Sequence, residues 1–367
     1  MRILYLGGFE LPNKNAAALR VMSNAKLLRE MGFQVSFIGV SKDIDNAPKD
    51  VDGFDSNPIP YPDNARQWVR LVLTFISKDD IKSYSPDYVV LYNFPAIASL
   101  KILHYCHKSG IKVIQDLTEW EQTEGYSPRD VLKRFDTQLR MRYCIKKMDG
   151  VIAISQYLYN FYKDFTKTIL MPPTVDLLDE KWKRERTLEA NSPITLVYAG
   201  NPGAKSKDRL DYIVEAVSQF PNMQLNVVGI TREQYEEGYG SIDASIKNVH
   251  FLGKLPHKDA VEAVCDADFQ MLIRDNTLKN TAGFPTKFVE SFSCGTPVIA
   301  TLTSNVGDYL KDGVNGFVVD DNNTIDIVLN KISNMPEKAI IKMKQACQKF
   351  DKFDYRYYKR EFEIIFN

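Results

Sequence analysis

Short runs of β-branched and aromatic residues alternate with longer stretches of helical periodicity along the whole chain. Apolar runs at 3–6, 34–40, 88–92, 112–117, 150–155 and 168–171 read as buried strands. Helical patterns lie between them, among them 16–31, stopped by Gly32, and 129–147. The same rhythm restarts with ITLVYAG at 194–200 and continues through 223–229, 249–253, 269–274 and 297–301. Strands and helices alternating in this way predict parallel sheets covered by helices. The stretch 173–193 between the two series is polar, charged and bracketed by prolines, and reads as a linker. The expected organisation is therefore α/β: a Rossmann-like domain at 1–172, a linker at 173–193 and a second Rossmann-like domain at 194–352. Tyr355, Tyr358, Phe362 and Ile365 recur at helical spacing, so a terminal helix at 353–367 is expected to pack back on the first domain. Two such parallel sheets facing across a cleft would bind ligands beyond their strand C-termini.

Composition narrows the classes. A chain of 367 residues is long for one core and suits two. With 44% hydrophobic and 26% charged residues it is globular, and with 47 basic against 47 acidic side chains it draws no polyanion as a whole. Nucleic acid is thus not an expected partner. Cys106, Cys144, Cys265, Cys294 and Cys347 are widely spaced without a CxxC pair, which fits reduced thiols rather than a disulfide or zinc framework. The opening MRILYLGG reads as a first strand rather than a signal peptide, and no apolar run approaches the ~18–20 residues that span a bilayer. A cytoplasmic location is expected, with peripheral contact at the inner face of a membrane. The physical basis for that contact is the segment 64–77, where Trp68, Leu71, Val72, Phe75 and Ile76 share a stripe beside Arg66 and Arg70. The region 129–147 adds Arg129, Lys133, Arg134, Arg140, Arg142, Lys146 and Lys147. Such a stripe is more usually what a buried core helix shows.

The most informative chemistry lies in AGFPTKFVESFSCGTPVIA at 282–300. Gly283 permits close backbone approach, Pro285 suits a helix start, and Thr286 and Lys287 stand beside that start. Unpaired N–H groups and the helix dipole there suit a phosphate. Glu290, one turn further, is placed to accept hydrogen bonds from both hydroxyls of a ribose. A second segment, VYAGNPGAKSKDRL at 197–210, runs from a strand into a Gly-rich turn with Gly200, Asn201, Lys205 and Lys207, then into a helix. It lacks the spacing of a Walker A loop. Arg274 closes the strand before the 282–300 segment and offers a forked donor to phosphate oxygens.

The 282–300 segment resembles the donor-binding signature of the family 4 GT-B glycosyltransferases, a Glu-x7-Glu pattern around Gly-Phe before Cys-Gly-x-Pro-Val-Ile. Gly283, Phe284, Glu290 and Cys294 to Ile299 match in order, whereas the first glutamate is Ala282. The resemblance implies that Glu290 binds the nucleotide ribose, that Lys207 and Lys205 meet the diphosphate, and that the turn 253–257 lies against the base. It also implies a UDP-sugar donor, transfer to a hydroxyl acceptor with retention, no metal and no cofactor beyond the nucleotide-sugar co-substrate. A role in surface polysaccharide or glycolipid assembly follows from the same resemblance. Departures are Asn201 for the usual arginine, Asp208 for the usual glycine after the lysine, and Ala16-Ala17-Ala18 where glycines are usual. Gly8 and Arg20 then fall where the family holds its acceptor. Asp116, preceded by Gln115 where the family often has histidine, and Glu119 are the candidate catalytic carboxylates. The DxD runs at 43–45 and 266–268 are set aside, since the first sits in a loop after the second strand and the second reads as a helix end before a buried strand. Two other readings remain open: a non-catalytic nucleotide-sugar-binding or partner protein, and a sugar-nucleotide epimerase of the same fold.

Overall fold

The computed structural model describes residues 1–123, 125–183, 193–203 and 207–367. The chain divides into two compact units. Unit 1 comprises Met1–Thr174, Ala282–Phe284 and Asp354–Asn367; unit 2 comprises Val175–Thr281 and Pro285–Phe353.

The strands of unit 1 are β1 (Arg2–Gly7), β2 (Gln34–Ile38), β3 (Val40–Ser41), β4 (Asp50–Val51), β5 (Phe54–Ser56), β6 (Ile59–Pro60), β7 (Tyr88–Tyr92), β8 (Lys112–Leu117), β9 (Gly150–Ala153) and β10 (Lys167–Leu170). Eight of them form one sheet in the order β10-β9-β8-β7-β1-β2-β5-β4, and β3 pairs with β6. Pairing is parallel except between β4 and β5. β1, β7 and β9 are buried almost throughout, as continuous apolar runs require when helices cover both faces. Asn15 caps the helix Ala16–Glu30 by accepting from the Ala18 N–H. The terminal residues Asp354–Asn367 belong to this unit: Phe366 lies edge-on to Phe33 at 5.8 Å and to Tyr88 at 5.3 Å. Gly7 is required where β1 passes β7, since a Cβ there would come within 2.7 Å of the Tyr92 carbonyl.

Unit 2 holds β11 (Ile194–Ala199), β12 (Met223–Val228), β13 (Val249–Gly253), β14 (Phe269–Leu272), β15 (Val298–Thr301) and β16 (Gly316–Val319), an all-parallel sheet ordered β13-β12-β11-β14-β15-β16. The order reverses at β11, so the turns after β11 and β14 diverge and leave room for a ligand.

Several sequence expectations need adjustment. Within the stretch 173–193, Val175–Lys183 are folded onto unit 2: Trp182 is buried with Val197, Val228 and Val261, and its indole N–H donates to the Asp176 carbonyl at 2.9 Å. The charge density that suggested a linker hid one large apolar anchor. Residues 184–192 lie outside the described residues. The 64–77 stripe is split, because the helix ends at Leu73 and Thr74 turns the chain. Phe75 and Ile76 then enter the core, with Phe75 against Phe94 at 4.5 Å, while Trp68, Val69 and Leu73 stay exposed. The helix expected at 129–147 is α-helical over Pro128–Leu139, then widens to a π-helical turn at Arg140–Cys144 and tightens at Ile145–Lys147. The short strands β4, β5 and β6 lack the apolar run that marks the others, and the edge strand β16, whose run is only Phe317–Val319, was also not expected.

Candidate functional site

In unit 2 the ends of β11, β14 and the helix Thr286–Ser293 converge on one buried carboxylate, Asp208. Its Oδ1 accepts from Arg274 Nε at 2.7 Å, and its Oδ2 accepts from the Tyr198 hydroxyl at 2.6 Å and from the Lys287 ammonium. Lys287 also donates to the Tyr198 oxygen at 2.6 Å. The local sequence dictates this convergence. Tyr198 sits near the end of β11, and Gly200 follows with φ 121°, where a Cβ would strike Lys287 Cε at 2.5 Å. Only glycine lets the lysine stem cross this turn. Arg274 is fixed by Thr301 at the end of β15, whose hydroxyl accepts from the Arg274 N–H and donates to its carbonyl, both at 2.8 Å.

The electrostatics follow from burial. Burial pushes the Asp208 carboxyl up, but Lys287 and Arg274 more than offset it and hold it below the usual range. Lys287 faces the opposite balance: burial, Arg274 and Lys207 together outweigh Asp208 and lower its ammonium to about 8. Tyr198 is held well above its ordinary value by burial and by the charge of Asp208. Two cations around one anion leave the cluster with surplus positive charge.

The flanking positions complete the site. Asn201 is exposed and closes an Asx turn, its Oδ1 accepting from the Gly203 N–H at 2.8 Å. Lys207 is half-buried, and its carbonyl accepts from Asn280 Nδ2 at 3.2 Å. Lys205 lies outside the described residues. Pro285 precedes the helix Thr286–Ser293, and no side chain caps that helix start, beside which Thr286 stands half-buried. Glu290, further along the helix, is partly exposed. Its Oε1 lies 3.7 Å from His257 Nε2, a ring nitrogen without a hydrogen-bond partner. The glutamate carboxylate makes no hydrogen bond among the described residues, so its lone pairs are open. Gly283 and Phe284 group with unit 1, as does Ala282, whose carbonyl accepts from the Ser155 hydroxyl at 2.7 Å.

Unit 1 carries a similar cluster with a different outcome. Asp116 is wholly buried, and its oxygens accept from Arg20 Nε at 2.8 Å, from Asn24 Nδ2 at 3.1 Å and from the Tyr5 hydroxyl. Arg20 also donates to the carbonyls of Met171 and Pro172 at 3.1 and 3.2 Å. Two expectations are corrected here. Asp116 does not stand ready to take an acceptor proton, because both oxygens are engaged and none of its surface is accessible. Arg20 does not stand at an acceptor surface, because it is buried and ties the helix Ala16–Glu30 to the residues just after β10. Gly8 is exposed and open. Glu119 is half-buried after β8, with Asn93 Nδ2 at 3.5 Å, and remains the accessible carboxylate of the pair.

Sequence reasoning missed Tyr198, Asp208 and Tyr5 as site-forming residues. Tyr198 and Tyr5 look like ordinary strand residues, and Asp208 stood out only as a departure from glycine. The pairing of His257 with Glu290 had no sequence signal beyond the turn 253–257.

Residues 179–350 match the family described as Glycosyl transferases group 1. No curated protein sequence is significantly similar to the chain. Among solved structures, sucrose-phosphate synthase from Thermosynechococcus elongatus superposes with a TM-score of 0.72 at 15% identity, covering 100% of this chain and 98% of that one. HepE from Anabaena, solved in complex with UDP, gives 0.68 at 15% identity over 99% and 98% of the two chains. WaaG, a glycosyltransferase involved in lipopolysaccharide biosynthesis, gives 0.64 at 14% identity over 99% of each. At such identities the structural likeness establishes the fold.

The structural role of Asp116 is testable. Asp116→Asn leaves the buried Arg20 guanidinium without a counter-ion and is expected to cost about 3–5 kcal/mol in a urea titration. Glu119→Gln, at a half-buried position, is expected to stay within about 0.5 kcal/mol of the unmodified chain. Equal stability of the two variants would contradict the assignment.

Proposed function

We propose, for a chain whose residues 179–350 match the group 1 glycosyl transferases and whose fold is that of GT-B enzymes, transfer of a sugar from a nucleotide-sugar donor, a UDP-sugar foremost, to a hydroxyl acceptor. The observation that carries this reading is the surplus positive charge of Lys287 and Arg274 around Asp208, with Lys287 on the same helix as the open carboxylate of Glu290. The donor diphosphate sits against Lys287, Arg274 and Lys207, with the uncapped start of the helix Thr286–Ser293 adding its dipole. Gly200, Asn201 and Thr286 belong to the same turn and helix start, and Lys205, which lies outside the described residues, is the further cation proposed for the diphosphate from sequence. Gly283 and Phe284, the donor-site candidates read from sequence, immediately precede Pro285 and that helix start in the chain. Glu290 accepts from the ribose hydroxyls. As the glycosidic bond breaks, the leaving nucleoside diphosphate gains charge, and fixed cations in a buried setting stabilise it without reorganising. These cations supply the positive charge that a metal would otherwise bring. Glu119 is the carboxylate available to the acceptor side, and Gly8 a contact there. Retention, and use in surface polysaccharide or glycolipid assembly, complete the proposal. The UDP complex of HepE and the involvement of WaaG in lipopolysaccharide biosynthesis support it by analogy. The apolar Ala282 supports the rival reading of a non-catalytic binder, and an epimerase would convert donor without acceptor.

A second observation bears on the acceptor. The helix Ala65–Leu73 buries none of its residues, and Trp68 is 42% exposed beside Arg66 and Arg70. The helix Pro128–Leu139 exposes Leu132 by 69% and Phe135 by 65%, next to Arg129 and Arg134. Both helices pack against the helix Ala96–Lys108 of unit 1. Apolar side chains ringed by cations suit an anionic lipid surface, which fits a lipid-linked acceptor. Among the described residues no helix is long and apolar enough to cross a membrane.

Two measurements check these readings. Glu290→Ala removes hydrogen bonds to a charged acceptor worth about 1.5–3 kcal/mol, so nucleoside diphosphate and sugar nucleotide should both bind roughly ten- to hundredfold more weakly by calorimetry. Unchanged affinity in the folded variant would remove Glu290 from the donor site. For the lipid surface, the chain should co-sediment with phosphatidylserine vesicles at low salt and release at high salt, where charge is screened. Trp68→Glu with Leu73→Glu should abolish that sedimentation. Binding that survives the double substitution would place the contact elsewhere.

A further inference from the structure

Asp208 makes no contact with the donor in the reading above, yet two cations share it. Arg274 is buried and Lys287 is 13% exposed, and Lys207, next to Asp208 in the chain, adds a third positive charge. Lys287 also stands in the first turn of the helix Thr286–Ser293, where aligned peptide dipoles disfavour a cation. From β11 it meets only the neutral Tyr198 hydroxyl. On its own helix the next carboxylate, Glu290, stands 3.7 Å from His257. Burial, Arg274, Lys207 and the helix end therefore all oppose a charged Lys287, and Asp208 is the anion that opposes them. Arg274 is 8% exposed, and its two terminal nitrogens make no hydrogen bond among the described residues. Lys287 spends two of its three N–H groups, on Asp208 and Tyr198, and its ammonium lies beside Gly200 at the end of β11. Donors thus remain on both cations for an incoming anion.

We propose that Asp208 is a positioning residue that keeps Lys287 charged at the diphosphate subsite, so that donor binding takes up a proton and weakens in alkaline solution. This rests on the donor reading of the site and deepens it. A bound diphosphate adds the negative charge that the cluster lacks and raises the Lys287 ammonium above its ligand-free value of about 8. The proton bookkeeping has a definite sign. Below about 8 the free protein already carries the proton, and affinity is independent of pH. Above it, the free lysine has lost a proton that the complex still holds, so affinity falls towards tenfold per pH unit, about 1.36 kcal/mol. Removing the carboxylate charge lowers the free lysine further and moves the loss to lower pH. An arginine at 287 stays charged throughout and abolishes it.

Calorimetric titration of the full chain tests this with UDP-glucose, GDP-mannose and ADP-glucose, whose diphosphates do not titrate between pH 7 and 8.5. Titrations run in two buffers of different protonation enthalpy. For the tightest binder, affinity is expected to fall roughly three- to fivefold from pH 7 to 8.5, with about half a proton taken up at pH 8. Asp208→Asn should show the loss already at pH 7, and Lys287→Arg should bind with a flat profile and no uptake. A flat profile without uptake in the unmodified chain overturns the proposal but leaves the donor reading standing. So does Asp208→Asn with an unmodified profile. If Asp208→Asn does not fold by circular dichroism, persistent uptake in Lys287→Arg overturns the proposal instead. Failure of all three probes to bind at any pH overturns the donor reading and this inference with it.

Discussion

A carboxylate buried away from water must be paired, and Asp208 is paired three times over. That requirement fixes the ends of three elements at once. Tyr198 must reach from β11, Arg274 must stop just beyond β14, and the helix Thr286–Ser293 must begin where Lys287 can cross Gly200. The rest of the candidate donor site is arranged around those positions. Glu290 lies less than one turn beyond Lys287 on the same helix, so the spacing between the proposed diphosphate and ribose contacts is set by helix geometry. Sites carried on helices and strand ends hold such spacing better than sites on loops.

The two units use one device with different charge counts. In each, a tyrosine on the first strand of the unit's sheet, Tyr5 or Tyr198, donates to a buried aspartate that an arginine Nε also contacts. Asp116 faces one cation, two neutral donors and no surplus, so it behaves as a structural tie. Asp208 faces two cations, and the surplus charge makes its cluster receptive to an anion. The charge count is what separates the structural tie at Asp116 from the candidate binding site at Asp208.

Much of the fold was legible because parallel strands buried on both faces must be continuous apolar runs, as 88–92 and 194–199 are. The terminal aromatic residues also announced their packing by spacing, since Phe362 and Phe366 belong to the core of unit 1. Legibility failed where a single residue overrode the local pattern. Trp182 anchors a charged stretch that read as linker, and Thr74 breaks a stripe that periodicity alone would extend through Ile76. For the candidate site, Glu290, Lys287 and Arg274 stood out in sequence because their positions sit beside strong backbone signals, a Gly-Phe-Pro turn and a strand end, and the structure brings Lys287 and Arg274 together on Asp208. Asp116 misled because its position matched while its environment could not be read. Burial and hydrogen-bond saturation are properties of residues distant in sequence, here Arg20, Asn24 and Tyr5. Asp208 was visible only as an anomaly, and its meaning depended on partners 66 and 79 residues away.

The central claim is that the cluster around Asp208 receives the diphosphate of a nucleotide-sugar donor. A crystal structure of the chain with a bound sugar nucleotide tests it most directly. Diphosphate oxygens within hydrogen-bond distance of Lys287 Nζ and the terminal nitrogens of Arg274, with ribose hydroxyls on Glu290, are the predicted result. A nucleotide bound with its diphosphate away from both cations would contradict the account.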